Sequence, residues 1–382
     1  MKRSTDRILT THVGSLPRPH DLVKLFQASN PGPPPAPAIQ SAVREVVNRQ
    51  VEIGIAVVND GEYGKPVHGE VDYGAWMNYV AARMAGFELR PLHGELFPGK
   101  DREDFRDFYQ DTADDWGERR PFEVVCTGPV AYCGQTEIAA DIARFKAALR
   151  ESSAVDGFMS VVSPSSLESL QPNYHYGRQE DYAWALAEAL KHEYRAVADA
   201  GLVLQIDDPG IWVVWDFAYA KEKTLAEFRK FAEQRIEMLN AAIADIPPEQ
   251  IRYHVCWGSW HGPHSTDIPL PDIVDLLLKV NVGAYCVEAA NVRHGHDWKV
   301  WRDVDLGGRA LIPGVVSHST NLLEHPEVVA DRIVQYASAV GRENVIAGTD
   351  CGLGGRIHPQ LAWAKLQSLV EGAKLASKLL WS

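Results

Sequence analysis

The chain has 382 residues, of which 46% are hydrophobic and 23% are charged, and its formal net charge is −13. This length can bury a large core and fits two domains or a single α/β barrel. The acidic balance, with no stripe of Lys and Arg, argues against nucleic acid and anionic membranes as partners. We therefore expect small-molecule chemistry.

Cysteine usage and hydropathy indicate the compartment. Five cysteines are an odd number in a long chain, which is typical of reduced thiols in a cytosol and not of a disulfide framework. No apolar run reaches the length of a membrane span, and residues 1–6 lack the hydrophobic core of a signal peptide. The sequence therefore predicts a cytoplasmic protein.

Short apolar runs alternate with helical patterns along the chain. Apolar residues at three- and four-residue spacing predict helices, for example over 183–200, 224–244 and 326–340. This alternation predicts a parallel sheet, and eight repeats closed on themselves predict a (β/α)8 TIM barrel of the α/β class. The strand-like runs are 8–15, 55–59, 122–127, 158–162, 202–206, 251–257, 283–287, 310–316 and 345–348.

Nine runs are one more than such a barrel needs. A long, polar, aromatic-rich stretch follows the second run, and we interpret residues 63–121 as an insertion there, with the run at 122–127 belonging to it. The predicted organisation is one catalytic barrel over 1–382 that carries this insertion after its second strand.

Polar side chains recur where the runs stop. In a (β/α)8 barrel the chemistry lies on the loops after the carboxyl ends of the strands. Each residue alone has an ordinary structural explanation, such as a cap or a buried thiol, but their joint placement indicates an active site. These residues are Ser15, Glu62, Asp207, His254, Cys256, Glu288, His318 and Cys351.

Four of them predict a metal site. His254 and Cys256 alternate on one strand, so they share a face. With Glu288 after the next strand and Cys351 after the last, one imidazole, two thiolates and one carboxylate form a plausible tetrahedral set for zinc. Cys286 lies on the same strand face as Glu288 and is the alternative fourth ligand.

The strings that hold these residues resemble the catalytic barrel of cobalamin-independent methionine synthases and their single-barrel relatives. The matching strings are His-Val-Cys at 254–256, Val-Glu-Ala at 287–289 and Asp-Cys-Gly-Leu at 350–353. The resemblance implies Zn²⁺ as the cofactor, bound by His254, Cys256, Glu288 and Cys351. Zinc keeps a thiol ionised at neutral pH, where a free thiol with a pKa of about 8.5 is mostly protonated. Glu288 is the ligand we expect an incoming thiol to displace.

The same resemblance implies roles for the other strand-end residues. It places homocysteine contacts at Ser15, Glu62 and Asp207, and the acid–base histidine at His318, after Pro-Gly-Val at 313–315. The implied enzyme is a zinc-dependent methyltransferase of methionine biosynthesis. It transfers an alkyl group, methyl above all, to a zinc-bound thiol, with homocysteine as the first-choice acceptor.

The alkyl donor is left open. Residues 163–170 lack the tryptophan on which this family stacks its folate, so folate, another methyl donor and an epoxide all stay as alternatives. Epoxyalkane:coenzyme M transferase, in a branch with similar strings, opens an epoxide with the same thiolate. Its sulfonate-bearing thiol would need a cation such as Arg18 or Lys65. A catalytically idle zinc-binding barrel is the alternative from another class. The expected partners are a small-molecule thiol and its donor, and a homo-oligomer is compatible with the sequence.

Overall fold

Eight parallel strands form one sheet in the computed structural model, which describes residues 1–29, 34–67, 79–80, 82–92, 99–112 and 122–382. The strands are β1 (Leu9–Thr10), β2 (Val57–Val58), β3 (Met84–Pro91), β4 (Phe122–Tyr132), β5 (Asp156–Val162), β6 (Val203–Asp207), β7 (Ile251–His254), β8 (Ala284–Val287), β9 (Ala310–Val316) and β10 (Ile346–Thr349). Their order in the barrel sheet is β1-β10-β9-β8-β7-β6-β5-β2. From β2 to β10, barrel strands that follow one another along the chain therefore pair, and β1 pairs with β10, so that β1 and β2 are the two edges of the sheet.

The two edges of this sheet approach each other. The Ala56 amide donates to the Thr10 carbonyl at 3.1 Å, and the Thr11 hydroxyl donates to the Val57 carbonyl at 2.9 Å. These bonds bring β2 beside β1 and leave the barrel nearly closed. The predicted (β/α)8 barrel is confirmed.

Amphipathic helices surround the barrel and bury their apolar faces against it. The helix Leu225–Ala242 begins at a capping box, in which Thr224 and Glu227 satisfy each other's backbone amides. Among the described residues no helix is long and apolar enough to cross a membrane. The α-helices are His20–Ser29, Ala36–Ile53, Lys100–Asp104, Arg106–Thr112, Gln135–Arg150, Pro164–Leu170, Gln179–Asp199, Gly210–Val214, Leu225–Ala242, Val274–Leu277, Pro326–Val340 and Pro359–Leu380.

Along the chain, a second, antiparallel sheet is formed between the second and third strands of the barrel. It pairs β3 with β4, with Phe87 opposite Cys126. The run at 122–127 therefore belongs to this sheet and not to the barrel. Much of the predicted insertion, including 68–78, 93–98 and 113–121, lies outside the described residues, so the insertion at 63–121 stays a prediction.

Candidate metal centre and adjoining pocket

Three of the four predicted metal ligands lie together at the carboxyl ends of the strands. His254 ends β7, Cys256 follows it by two residues, and Cys351 follows β10. Their donor atoms all lie within 4.8 Å of one another, and the two sulfur atoms are 3.9 Å apart. Tetrahedral zinc, with Zn–S bonds near 2.3 Å, would hold two sulfurs about 3.8 Å apart, whereas a disulfide would hold them about 2.05 Å apart. The spacing fits a shared metal ion.

The surroundings of His254 also fit such an ion. The side chain is buried, and within the described part of the chain neither ring nitrogen has a hydrogen-bond partner. Buried polar atoms are usually bonded, so an orphaned imidazole beside two thiols suggests a ligand. Hydrogen bonding with Cys256, together with the nearby His254, lowers the pKa of the Cys351 thiol well below its usual range. The group can therefore supply a thiolate to a soft divalent cation such as zinc.

Glu288 lies beside this group but outside the set of donor atoms that converge within 4.8 Å. One of its oxygens accepts from the Trp257 amide at 3.1 Å, and the other accepts from Asn291 Nδ2 at 2.6 Å. Burial raises the pKa of the Glu288 carboxyl to about 7. Its role as fourth ligand stays a prediction.

Cys286, the alternative fourth ligand, lies inside the barrel. It is fully buried in an apolar cluster with Leu9 and Ile312, and burial raises the pKa of its thiol to about 12. A thiol with that pKa is protonated at neutral pH. The surroundings of Cys286 therefore favour packing over ligation.

A pocket opens above the three metal-ligating candidates, and the predicted acceptor contacts line it as well. Ser15, Glu62 and Asp207 all face this space. The structure thus brings together six of the eight predicted site residues, although the first and last of them, Ser15 and Cys351, are 336 positions apart in the sequence. The pocket is also lined by residues without a predicted role, among them Val213, Phe217, Ser259 and Arg356.

The turn that carries Glu62 has an unusual backbone. Glu62 has a φ of 63°, a left-handed conformation that a non-glycine residue rarely adopts. Its carboxylate lies so close to Gly14 that a Cβ atom there would be 2.4 Å from Glu62 Oε1. Glycine at position 14 therefore makes room for the Glu62 carboxylate to reach the pocket.

The two carboxylates of the pocket are already partly neutralised. Lys65 Nζ is 3.4 Å from Glu62 Oε2, and both side chains are buried. Burial raises the pKa of Asp207 to about 7, against the lowering effects of His254 and Lys65. Arg18 donates to the Glu62 carbonyl at 2.6 Å and so holds the same turn. Both cations considered for a sulfonate therefore lie at the Glu62 turn.

His318 lies next to the pocket and not in it. It lines a neighbouring cavity together with Glu288, His264 and His294. Its side chain is only 2% exposed, and neither ring nitrogen has a hydrogen-bond partner within the described segments. Burial lowers the pKa of His318 to about 4, so the imidazole is neutral at pH 7.

Asp208, next to Asp207, has a structural role. Its carboxylate accepts from the hydroxyls of Ser163 at 2.6 Å, Ser165 at 2.5 Å and Tyr253 at 2.7 Å. These bonds tie the loop after β5 to β6 and β7. The side chain points into this hydroxyl cluster and is not among the residues that line the pocket.

Asp208→Ala is therefore expected to destabilise the fold without affecting the metal site. It removes an acceptor from four buried hydroxyls, the three just named and that of Ser166 at 3.3 Å, so we expect the free energy of unfolding to fall by about 2–4 kcal/mol. Urea unfolding measures this change. Tyr253→Phe removes one of the four bonds and should lower the free energy of unfolding by about 1 kcal/mol. A change below about 0.5 kcal/mol in Asp208→Ala would contradict the assignment.

The chain is similar to several known proteins in sequence and in fold. The family model described as the catalytic domain of cobalamin-independent synthase matches residues 125–375. A methionine synthase of Thermococcus kodakarensis is 23% identical over 97% of this chain and 93% of its own length. A 2-hydroxypropyl-CoM lyase of Xanthobacter autotrophicus is 24% identical over 96% of this chain and 94% of its own length. The B12-independent methionine synthase of a Shewanella species, solved with selenomethionine, superposes with a TM-score of 0.73 at 20% identity, over 98% of this chain and 99% of that one.

Proposed function

The chain belongs to the family of cobalamin-independent synthase catalytic domains, and on that premise we propose a zinc-dependent transferase that moves an alkyl group, methyl above all, to the sulfur of homocysteine. One observation carries the proposal. The donor atoms of His254, Cys256 and Cys351 converge within 4.8 Å on the wall of a pocket that two carboxylates also line. Candidate ligands for a metal ion and candidate acceptors for an ammonium group thus line one cavity.

The chain's own residues would prepare the nucleophile. His254, Cys256 and Cys351 would hold zinc, which when bound keeps an incoming thiol ionised near neutral pH. Glu288 would serve as a fourth ligand only after leaving its bonds to the Trp257 amide and Asn291. These bonds offer the carboxylate an alternative position when the acceptor arrives.

The pocket walls would orient the acceptor. Glu62 and Asp207 would accept hydrogen bonds from its amino group, and Ser15 would face its carboxylate. The Ser15 carbonyl accepts from the Gly354 amide at 2.9 Å, which fixes the Ser15 turn to the loop that carries Cys351. The hydrogen bond therefore fixes the position of Ser15, a proposed acceptor contact, relative to Cys351, a proposed metal ligand.

His318 would complete the transfer. Because its imidazole is neutral at pH 7, it carries one N–H and can donate that hydrogen bond to the atom that leaves the alkyl group. Its orphaned nitrogens have no competing partner among the described residues. The proposed role is thus a neutral hydrogen-bond donor to the leaving atom and not an imidazolium.

A screen of thiols and donors tests the proposal. Homocysteine and coenzyme M would each be mixed with methyltetrahydrofolate, simple methyl donors and short epoxides, and the thioether product identified by its mass. We expect product from homocysteine, and loss of product after zinc is removed by a chelator. If no pair gave a thioether while chelation unfolded the chain, the barrel would be a catalytically idle zinc-binding protein.

One observation favours a second candidate, thiolate opening of an epoxide by coenzyme M. The ion pair between Lys65 and Glu62 partly satisfies the pocket's carboxylate without an ammonium, and Arg356 lines the same pocket. A sulfonate-bearing thiol would suit such a cation. Product from coenzyme M and an epoxide, with none from homocysteine, would establish this function instead.

A further inference from the structure

A buried charge lies in the barrel interior, directly beneath the proposed acceptor and metal residues. Strand register pairs Asp207 of β6 with His254 of β7, and one layer below them it pairs Gln205 with Arg252. Side chains alternate along a strand, so Gln205 and Asp207 share a face. Interior layers of such barrels are usually filled by aliphatic side chains. A fully buried arginine is therefore an exception that needs an explanation.

Arg252 donates three hydrogen bonds inside the barrel. Its Nε donates to Gln205 Oε1 at 2.7 Å, one Nη donates to the Thr11 hydroxyl at 3.0 Å, and the other donates to the His12 carbonyl at 2.6 Å. The guanidinium also lies 3.4 Å above the centre of the Phe158 ring. Both Arg252 and Gln205 have zero exposed surface. The arginine therefore joins β7 and β6 to β1, across the barrel.

Gln205 links Arg252 to the residues that line the pocket. Its Nε2 donates to Asp207 Oδ1 at 2.6 Å and to the Val13 carbonyl at 2.7 Å. Asp207 and Val13 both line the pocket, and Val13 lies two residues before Ser15. One amide group thus holds the two opposite walls of the pocket at a fixed separation.

We propose that Arg252 and Gln205 are positioning residues that fix Asp207 relative to the Ser15 turn and so make the pocket selective for thiols that carry an amino group. This inference rests on the proposed function, in which Asp207 contacts that amino group. The bridge touches neither the acceptor nor the metal group, and it acts through the orientation of one carboxylate. Burying a guanidinium is unfavourable unless it is well paired, and it can be retained because it specifies one geometry.

The test substitution is Gln205→Glu. The new carboxylate can still accept from Arg252, but it has no N–H for Asp207 or Val13 and places a like charge beside Asp207. With zinc-loaded enzyme, we expect KM for homocysteine to rise about tenfold or more, as when a hydrogen bond to a charged group is lost. Zinc content and kcat should change less than about threefold. KM for 4-mercaptobutanoate, which has no amino group, should stay within about twofold of wild type, because Asp207 does not bind it.

Gln250→Glu is the matched control. Gln250 donates to the Ala198 and Leu202 carbonyls at the opposite, amino-terminal ends of the strands, at 2.7 and 2.9 Å. Gln250→Glu makes the same chemical change away from the pocket. It should leave KM for homocysteine and KM for 4-mercaptobutanoate unaltered. If Gln205→Glu does not fold, Arg252→Lys keeps the buried charge but cannot make the same three bonds, and it should show the same selective rise.

Two outcomes would overturn the inference. KM for homocysteine could stay at its wild-type value in folded Gln205→Glu and Arg252→Lys, or it could rise equally for both thiols. Wild-type enzyme that neither binds nor alkylates homocysteine would instead identify a failure of the proposed function. The wild-type measurement thus separates the two proposals.

Discussion

Cys351→Ser enzyme is expected to lose its zinc and its activity together. After dialysis against a chelator, we expect bound zinc to fall below about one tenth of an equivalent per chain, measured by plasma emission spectroscopy. Loss of a partner one shell beyond a metal already weakens binding or activity about 10- to 100-fold. Loss of a direct thiolate ligand should therefore lower thiol alkylation at least about a hundredfold. Cys256→Ser should behave alike, because its sulfur lies 3.9 Å from that of Cys351.

The other cysteines supply the control. Cys286→Ala removes a buried thiol in the same barrel, and Cys133→Ser removes an exposed one. Both variants should retain a full equivalent of zinc, although Cys286→Ala should unfold more readily because it leaves a small cavity. Full zinc in Cys351→Ser, or loss of zinc in Cys286→Ala, would refute the proposed ligand set.

His318→Asn enzyme is expected to keep its zinc and turn over slowly. Loss of one positioned hydrogen-bond donor at a reacting atom costs about 100- to 1,000-fold in rate, so kcat should fall within that range while KM for the thiol stays close to wild type. Single-turnover mixing with mass analysis of the thioether measures the chemical step. His261→Asn is the control, because His261 lies beside His318, with its Nε2 3.1 Å from the His318 carbonyl, and has no proposed role in the transfer. It should leave kcat within about threefold.

The pH dependence of the chemical step is a second test of the role of His318. Burial lowers its pKa to about 4, so nearly all of the ring population is neutral at every pH from 6 to 8. The wild-type chemical step should therefore not slow with rising pH as a group with a pKa near 6.5 would require. A fall of about tenfold across that range in wild type, absent in His318→Asn, would show that His318 acts as an imidazolium.

The barrel and the convergence of His254, Cys256 and Cys351 could be predicted because both depend on local pattern. Alternating runs and helices specify a parallel barrel, and strand alternation places His254 and Cys256 on one face. Cys351 could be added because the carboxyl ends of all strands meet at one mouth. The run at 8–15 was predicted too long, however, since β1 covers only Leu9–Thr10.

What the sequence could not predict depends on neighbours that are distant along the chain. The low pKa of His318 arises from burial, and Arg252 meets Thr11 from 241 positions away. Asp208 looks like a turn or cap residue in the sequence, yet it is the acceptor for four hydroxyls. Local spacing does not encode such contacts, since tertiary packing creates them.

The close approach of Glu62 to Gly14 has a consequence for how these proteins vary. No side chain larger than hydrogen fits at position 14 while the Glu62 carboxylate occupies its place, since even a Cβ would come within 2.4 Å of it. A side chain at position 14 is therefore expected to displace the carboxylate of a residue 48 positions away. It would also be strained by the backbone itself, because Gly14 has a φ of 139°, so a relative with a larger residue there would need both a different backbone and a different position for the acid.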